Sequence, residues 1–229
     1  VKPPVISGGE AEINGTQYET LEKALAAAKS GDTITFLKDV KSTKPVTISA
    51  EVTLDLSDNL WQINSGLTVN ENVTITGDEG SGEIELDSVI AVNNSTLNNN
   101  STLTIKNIKL NATAGFSTYR GKIEMKNVTA VDGDYNFFTG MTRDTLLVYS
   151  GYFKFNPAGF NAEGTVIEEN SDLGVSAFNV KIGSAKYQAS LNGTNYETLQ
   201  AAFDAAEDRD TVYVLMQNGD NALSDAALN

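Results

Sequence analysis

Short apolar alternations of four to six residues recur along the chain at intervals near 20 residues: ITFLKD, VTLDLSDN, VTITGDEG, LTIKNIKL, IEMKNVTA and LLVYSGYF. Aligned on their central apolar residue, they place Ile34, Leu54, Ile75, Ile105, Met125 and Val148 in one file, with steps of 20, 21, 30, 20 and 23. A period of two marks a strand with one buried face, and the Asn, Gly, Ser and Asp between runs supply turns. Spacing close to one coil predicts stacked rungs, each aliphatic side chain about 4.8 Å above its counterpart. The step of 30 predicts an inserted loop at 93–102, NNSTLNNNST. Asn107 and Asn127 each fall two positions after a central apolar residue, which predicts an Asn pair hydrogen-bonded along the stacking axis and satisfying buried turn groups. An antiparallel sandwich would instead need tight hairpins, and we expect no Asn-Gly or Asp-Gly pair to join adjacent strands two residues apart.

A longer repeat frames these runs. NGTQYETLEKALAAAKSGDTITFL at 14–37 recurs as NGTNYETLQAAFDAAEDRDTVYVL at 192–215. The offset of 178 residues is far longer than a solenoid coil. Leu21, Ala24, Leu25 and Ala28 follow helical spacing after Tyr18 or Thr20, Gly31-Asp32 stops the helix, and Thr33–Leu37 alternates as a strand. Leu199, Ala202, Phe203 and Ala206 repeat the stripe. A helix before the first strand covers backbone groups and core that an open stack would expose. The prediction is an all-β chain, a right-handed parallel β-helix with an N-terminal amphipathic capping helix. Residues 1–10 read as a linker, 11–183 as the module, and 184–229 as the start of a second module or a terminal cap.

YETLEKALAAAKSGDTITFLKDV, VTLDLSDNLWQINSGLTVNENVTITGDEGSGEI and SGYFKFNPAGFNAEGTVIEE at 150–169 resemble the repetitive, adhesin-like surface proteins of gut bacteria whose modules have a pectin-lyase-like β-helix. The resemblance implies that the helix caps the module, the middle segment supplies the first coils, and the Gly-aromatic-Phe and Asn-Pro segment closes it. It also implies a bacterial, extracellular, envelope-associated protein, monomeric within a longer multi-module chain. Fold alone does not fix activity.

Composition narrows the chemistry. Lys and Arg total 16 against 30 Asp and Glu, a formal net charge of -14, so nucleic acid and anionic membranes are repelled. Cysteine and histidine are both absent, which removes thiolate chemistry, the usual neutral-pH proton carrier and the commonest transition-metal ligands. No stretch approaches the length of apolar run that spans a bilayer, so no membrane insertion is expected in this segment. A start at Val1 rather than Met is read as a mature form whose export signal has been removed.

The catalytic alternative is a carboxylate-dependent polysaccharide lyase or hydrolase. A polygalacturonase-like Gly-His-Gly segment cannot be met without histidine. A lyase would need calcium-gathering carboxylates and an Arg base, and only Arg120, Arg143 and Arg209 are present. Asp55, Asp78, Glu79, Glu83, Glu85 and Asp87 could converge for glycoside hydrolysis or for calcium, but their plainer reading is solvated turn residues. Trp61 is read as packing. Ten of the seventeen Phe and Tyr residues lie within 116–160. Within that stretch Tyr119, Tyr135 and Tyr149, with Asp132, Asp134 and Asn136, form the candidate binding set: stacking surfaces for sugar rings or a protein partner, with hydrogen-bonding groups beside them. The competing reading places the aromatics, the phenylalanines above all, as a plug at the solenoid's C-terminal end. The expected function is a non-enzymatic surface module binding a host or environmental glycan or a surface protein, with no cofactor; calcium is the one metal these side chains could hold.

Overall fold

The computed structural model describes residues 8–78, 80–93, 101–132, 136, 138–170, 177–182, 189–191, 194–196, 199–207 and 210–214. It divides into two compact units: Val1–Ala162 with Ile167–Val180, and Glu163–Val166 with Lys181–Asn229.

The first unit opens with β1 (Ala11–Ile13), β2 (Thr16–Tyr18), α1 (Leu21–Ala27) and β3 (Thr33–Phe36). Asn14 and Gly15 turn β1 into β2 with φ of 49° and 78°, and Ile13 faces Thr16. Positive φ at both central residues is the two-residue turn that matches strand twist, and Asn-Gly is the pair that adopts it at least cost. This corrects the expectation that no such pair joins adjacent strands. The Thr20 hydroxyl caps α1 by accepting from the Lys23 backbone N–H at 3.3 Å. Leu21 and Ala24 are buried on its inner side.

From β3 the chain becomes a parallel β-solenoid of about five turns. β4 (Val40–Ser42) and β5 (Val46–Ile48) complete the first turn, and β6 (Val52–Asp55), β7 (Leu60–Ile63) and β8 (Leu67–Val69) form the second. β9 (Val73–Thr76), β10 (Glu83–Leu86) and β11 (Ile90–Asn93) form the third, β12 (Ser101–Ala112) and β13 (Phe116–Tyr119) the fourth, and β14 (Gly121–Ala130) the fifth, on which β15 (Leu146–Val148) and β16 (Gly151–Phe153) stack in parallel as one further rung. Three parallel walls result. The first runs β3, β6, β9, β12, β14, β15; the second β4, β7, β10 and the end of β12; the third β5, β8, β11, β13.

Ile34 pairs with Leu54, Leu54 with Ile75, Ile75 with Ile105, Ile105 with Met125 and Met125 with Val148, the expected file rung by rung. All six are fully buried. β12 and β14 each serve two walls because Asn107 and Asn127, at φ of 55° and 53°, switch the alternation of inward residues. The Asn127 amide donates to Asn107 Oδ1 at 3.1 Å, as expected, but the pair lies at an exposed corner rather than among buried turn groups. The expected loop at 93–102 is shorter at both ends: Asn93 belongs to β11, Ser101 and Thr102 to β12, and 94–100 lie outside the described residues. Buried Ser101 donates to the Asn70 carbonyl at 2.8 Å, so it belongs to the wall.

Trp61 is fully buried, its indole N–H donating to Ser42 Oγ at 3.0 Å and its ring meeting Phe36 edge-on at 5.6 Å. After β16 the parallel order persists in the first wall only as a single bridge between Val148 and Asn161. β17 (Thr165–Asn170) and β18 (Ala177–Ile182) follow, and β18 runs antiparallel to β16. Phe138 packs on Phe153 at 5.9 Å and on Phe160 at 5.1 Å, closing the core beside the last parallel strands.

The second unit holds β19 (Ala189–Leu191), β20 (Thr194–Tyr196), α2 (Leu199–Ala205) and β21 (Val212–Val214). Its registers repeat those of the first copy: Ala11 faces Tyr18 and Phe36, and Ala189 faces Tyr196 and Val214.

Gly151 offers a stringent test of the last coil. Its φ is 134°, and a Cβ there would lie 2.0 Å from the Val128 carbonyl oxygen. Gly151→Ala is expected to destabilise the solenoid by about 3 kcal/mol, read in urea unfolding through the emission of Trp61.

Candidate functional site

Outward-facing residues of the first wall stack in register as tightly as the inward ones. One row runs Thr33, Thr53, Thr74, Thr104, Glu124, Leu147; the next runs Thr35, Asp55, Thr76, Lys106, Lys126. Strand pairing sets neighbours within a row about 4.8 Å apart. Threonine suits this wall twice over, since its branched Cβ favours the strand and its hydroxyl faces water. Thr53, Thr74, Thr102 and Thr104, with Glu51 and Asn72, line an open depression of about 390 Å³. Asn72 Oδ1 holds the Thr102 backbone N–H at 3.0 Å and fixes the entry to β12.

Toward the last coil, hydroxyls give way to charge. Lys122, Glu124 and Lys126 alternate outward along β14. The Glu124 carboxylate accepts from Lys122 at 2.8 Å and from Lys126 at 2.9 Å. Tyr149 OH also donates to Glu124, at 3.3 Å, and Lys126 Nζ sits 4.7 Å over the Tyr149 ring. Burial pushes the Glu124 carboxyl up, but the hydrogen bonds and charges of the two lysines outweigh it and leave it below its ordinary value. The hydrogen bond to Glu124 raises the Lys122 ammonium, against a smaller opposing effect of burial. Lys106 is paired in register with Lys126. Like charges placed directly across a ladder repel.

Of the candidate set, Tyr149 lies in this cluster. Tyr119 ends β13 on the third wall, 64% exposed, with the Arg120 guanidinium 5.5 Å over its ring. The two tyrosines therefore stand on different walls with different partners. Asn136 Oδ1 accepts from the Phe138 backbone N–H at 3.2 Å and fixes a turn, Asp132 is exposed, and Asp134 and Tyr135 lie outside the described residues.

The acidic residues weighed for catalysis are spread over ladders and turns. Asp55 accepts from the Ser57 N–H, Glu85 from Gln62, and Asp87 from Asn64 and Thr113. Glu79 lies outside the described residues. Among the described residues no three of His, Cys, Asp and Glu gather as metal ligands, and no helix is long and apolar enough to cross a membrane.

The threonine rows and the Lys122–Glu124–Lys126 cluster escaped the sequence analysis. Members of a row are 20 to 30 residues apart, whereas Lys122, Glu124 and Lys126 alternate along one strand; the signal that could have found both was the file of central apolar residues, since the positions on either side of each define the outward rows.

The ionic cluster predicts a pH signature. A carboxyl lowered by folding adds stability that is present above its ordinary value of 4.5 and lost as pH falls through the lower folded value. A raised lysine adds stability present below 10.5 and lost as pH climbs through its raised value. The difference in unfolding free energy between wild type and Glu124→Gln should be level between those limits and shrink outside them, as urea titrations at about pH 3 and about pH 7 would show.

No protein-family model, curated protein or solved structure matches the chain, so the wall itself is the guide to function.

Proposed function

We propose that this chain is a non-enzymatic surface module, displayed outside the cell as one part of a longer multi-module protein, whose first wall binds a glycan. The single observation that carries this reading is the continuous outward grid of Thr53, Thr74 and Thr104 running into Glu124, Lys126 and Tyr149. Sugars present hydroxyls at short, regular intervals, and a fixed array of donors and acceptors with one ring at its end can engage several at once without ordering loops first. The net charge of -14 supports display in a setting where nucleic acid and anionic bilayers are not partners.

The architecture we propose for this display is the pectin-lyase-like β-helix, wound right-handed. The general preference of parallel strand crossovers for that hand supports it. Helix α1 acts as the lid of its first coil, supported by the burial of Leu21 and Ala24 and by the packing of Leu25 and Ala28 on the core.

A glycan array followed by calorimetry tests the binding face. The combined change Thr74→Val, Thr104→Val and Tyr149→Ala should weaken the best glycan by at least about tenfold, roughly 1.4 kcal/mol, while Tyr119→Ala on the third wall leaves it unchanged. Retention of full affinity by the triple variant would remove this wall as the site.

A further inference from the structure

The two β-β-α-β copies share backbone registers yet differ in what covers them. In the first, β3 pairs with β1 on one edge and takes β6 in parallel on the other, with Thr33 opposite Thr53 and Ile34 opposite Leu54. In the second, β21 lies at the end of its sheet and pairs only with β19 among the described residues.

The helices differ in the same sense. Ala24 and Ala202 occupy equivalent places and both are buried. The next position diverges: Leu25 packs on the solenoid core, whereas Phe203 is 51% exposed. Leu25 and Ala28 border the same depression as Pro45, Val46 and Ala50, residues of the coil that follows β3. The first copy thus shows what belongs over this side of the helix. After Leu215 the sequence MQNGDNALSDAALN does not repeat KDVKSTKPVTISAE, which follows Leu37.

We propose that the second unit is a receptor for a β-solenoid coil carried in the same polypeptide. A strand alternating as Val52–Asp55 does would add in parallel to the edge of β21 that has no partner among the described residues, and aliphatic side chains of that coil would cover Phe203. Main-chain hydrogen bonds supply the attachment, and the alternation of apolar and polar residues selects a coil over other extended segments. An exposed phenylalanine beside an edge unpaired among the described residues would otherwise be a liability for association. This rests on the multi-module reading above but not on the glycan reading, and its readouts involve no glycan.

The test grafts residues 38–76 directly behind Leu215 of the full chain, in place of 216–229. Hydrogen exchange and limited proteolysis follow each unit separately. Backbone amides within Val212–Val214 should exchange at least about tenfold more slowly than in the ungrafted chain, and the graft should resist protease. Exchange in β12 and β14 should stay unchanged, which shows the solenoid intact. Phe203→Asp should abolish the protection and Phe203→Leu, the residue type of the first copy, should keep it. A graft digested as a loose tail, with β21 exchange unaltered, overturns the proposal. A doubled mass in sedimentation that disappears with Phe203→Asp would make a second copy the occupant and overturn it as well. In the ungrafted chain Phe203→Asp should leave exchange in β19 and β20 unchanged. Unfolding of the unit by that change would mean that Phe203 serves the unit's own packing, and would also overturn the proposal.

Discussion

In-register parallel pairing is the constraint on which the rest of this protein depends. Each rung can bond to the next only if corresponding residues lie directly over one another, so every inward position must accept a similar side chain above and below. Ile34, Leu54, Ile75, Ile105, Met125 and Val148 meet that demand with side chains of comparable volume, all fully buried. Trp61 is the exception that shows how the rule is managed. It stacks between Val40 and Ile84, smaller residues that leave room for the indole, while Phe36 meets its face edge-on. Ser42, one of the few buried polar residues, accepts the indole N–H that would otherwise be orphaned at a cost of about 1–3 kcal/mol.

A stack built this way must stop at both ends, since unpaired edges recruit other strands. At each end a strand of reversed direction pairs with the parallel stack. At the start β1 lies antiparallel to β3 and is itself turned back by Asn14-Gly15; at the finish β18 lies antiparallel to β16, the first wall ends in the parallel bridge of Val148 with Asn161, and Phe138 packs on Phe153 and Phe160. Antiparallel closure changes the hydrogen-bond pattern, so the next parallel rung is no longer templated. Phe138, Phe153 and Phe160 are three of the ten aromatics within 116–160 and belong to this closure, while Tyr119 and Tyr149 remain at the surface.

The sequence carried the column but not the surface. Period-two alternation combined with 20-residue spacing was enough to place the central residue of each rung, because burial forces regularity on inward positions. Turn chemistry is legible too, and Asn14-Gly15 departs from expectation in a hairpin that precedes the first coil and lies outside the 20-residue spacing. Asn107 and Asn127 were matched as a pair, yet their left-handed backbone, which bends β12 and β14 round a corner, leaves no periodic trace. The outward grid was hidden for a different reason. Lys106 and Lys126 become neighbours only once register is assigned, and surface positions tolerate many residue types, so nothing in the spacing of charges marked them.

That grid has a direction. Its early rungs carry the hydroxyls of Thr53 and Thr74 with the carboxylate of Asp55, and its later rungs carry Lys106, Lys122, Lys126 and Glu124. On a chain of net charge -14, three lysines against one carboxylate form a local reversal of sign, held together because Glu124 bridges two of them and the Tyr149 ring sits under the third donor's neighbour, Lys126. Among the described residues no ion pair engages Lys106. A polymer lying along the wall would therefore meet hydrogen-bonding groups at one end and positive potential at the other. Under the glycan-binding proposal, the two orientations of a bound chain on this surface would differ in energy.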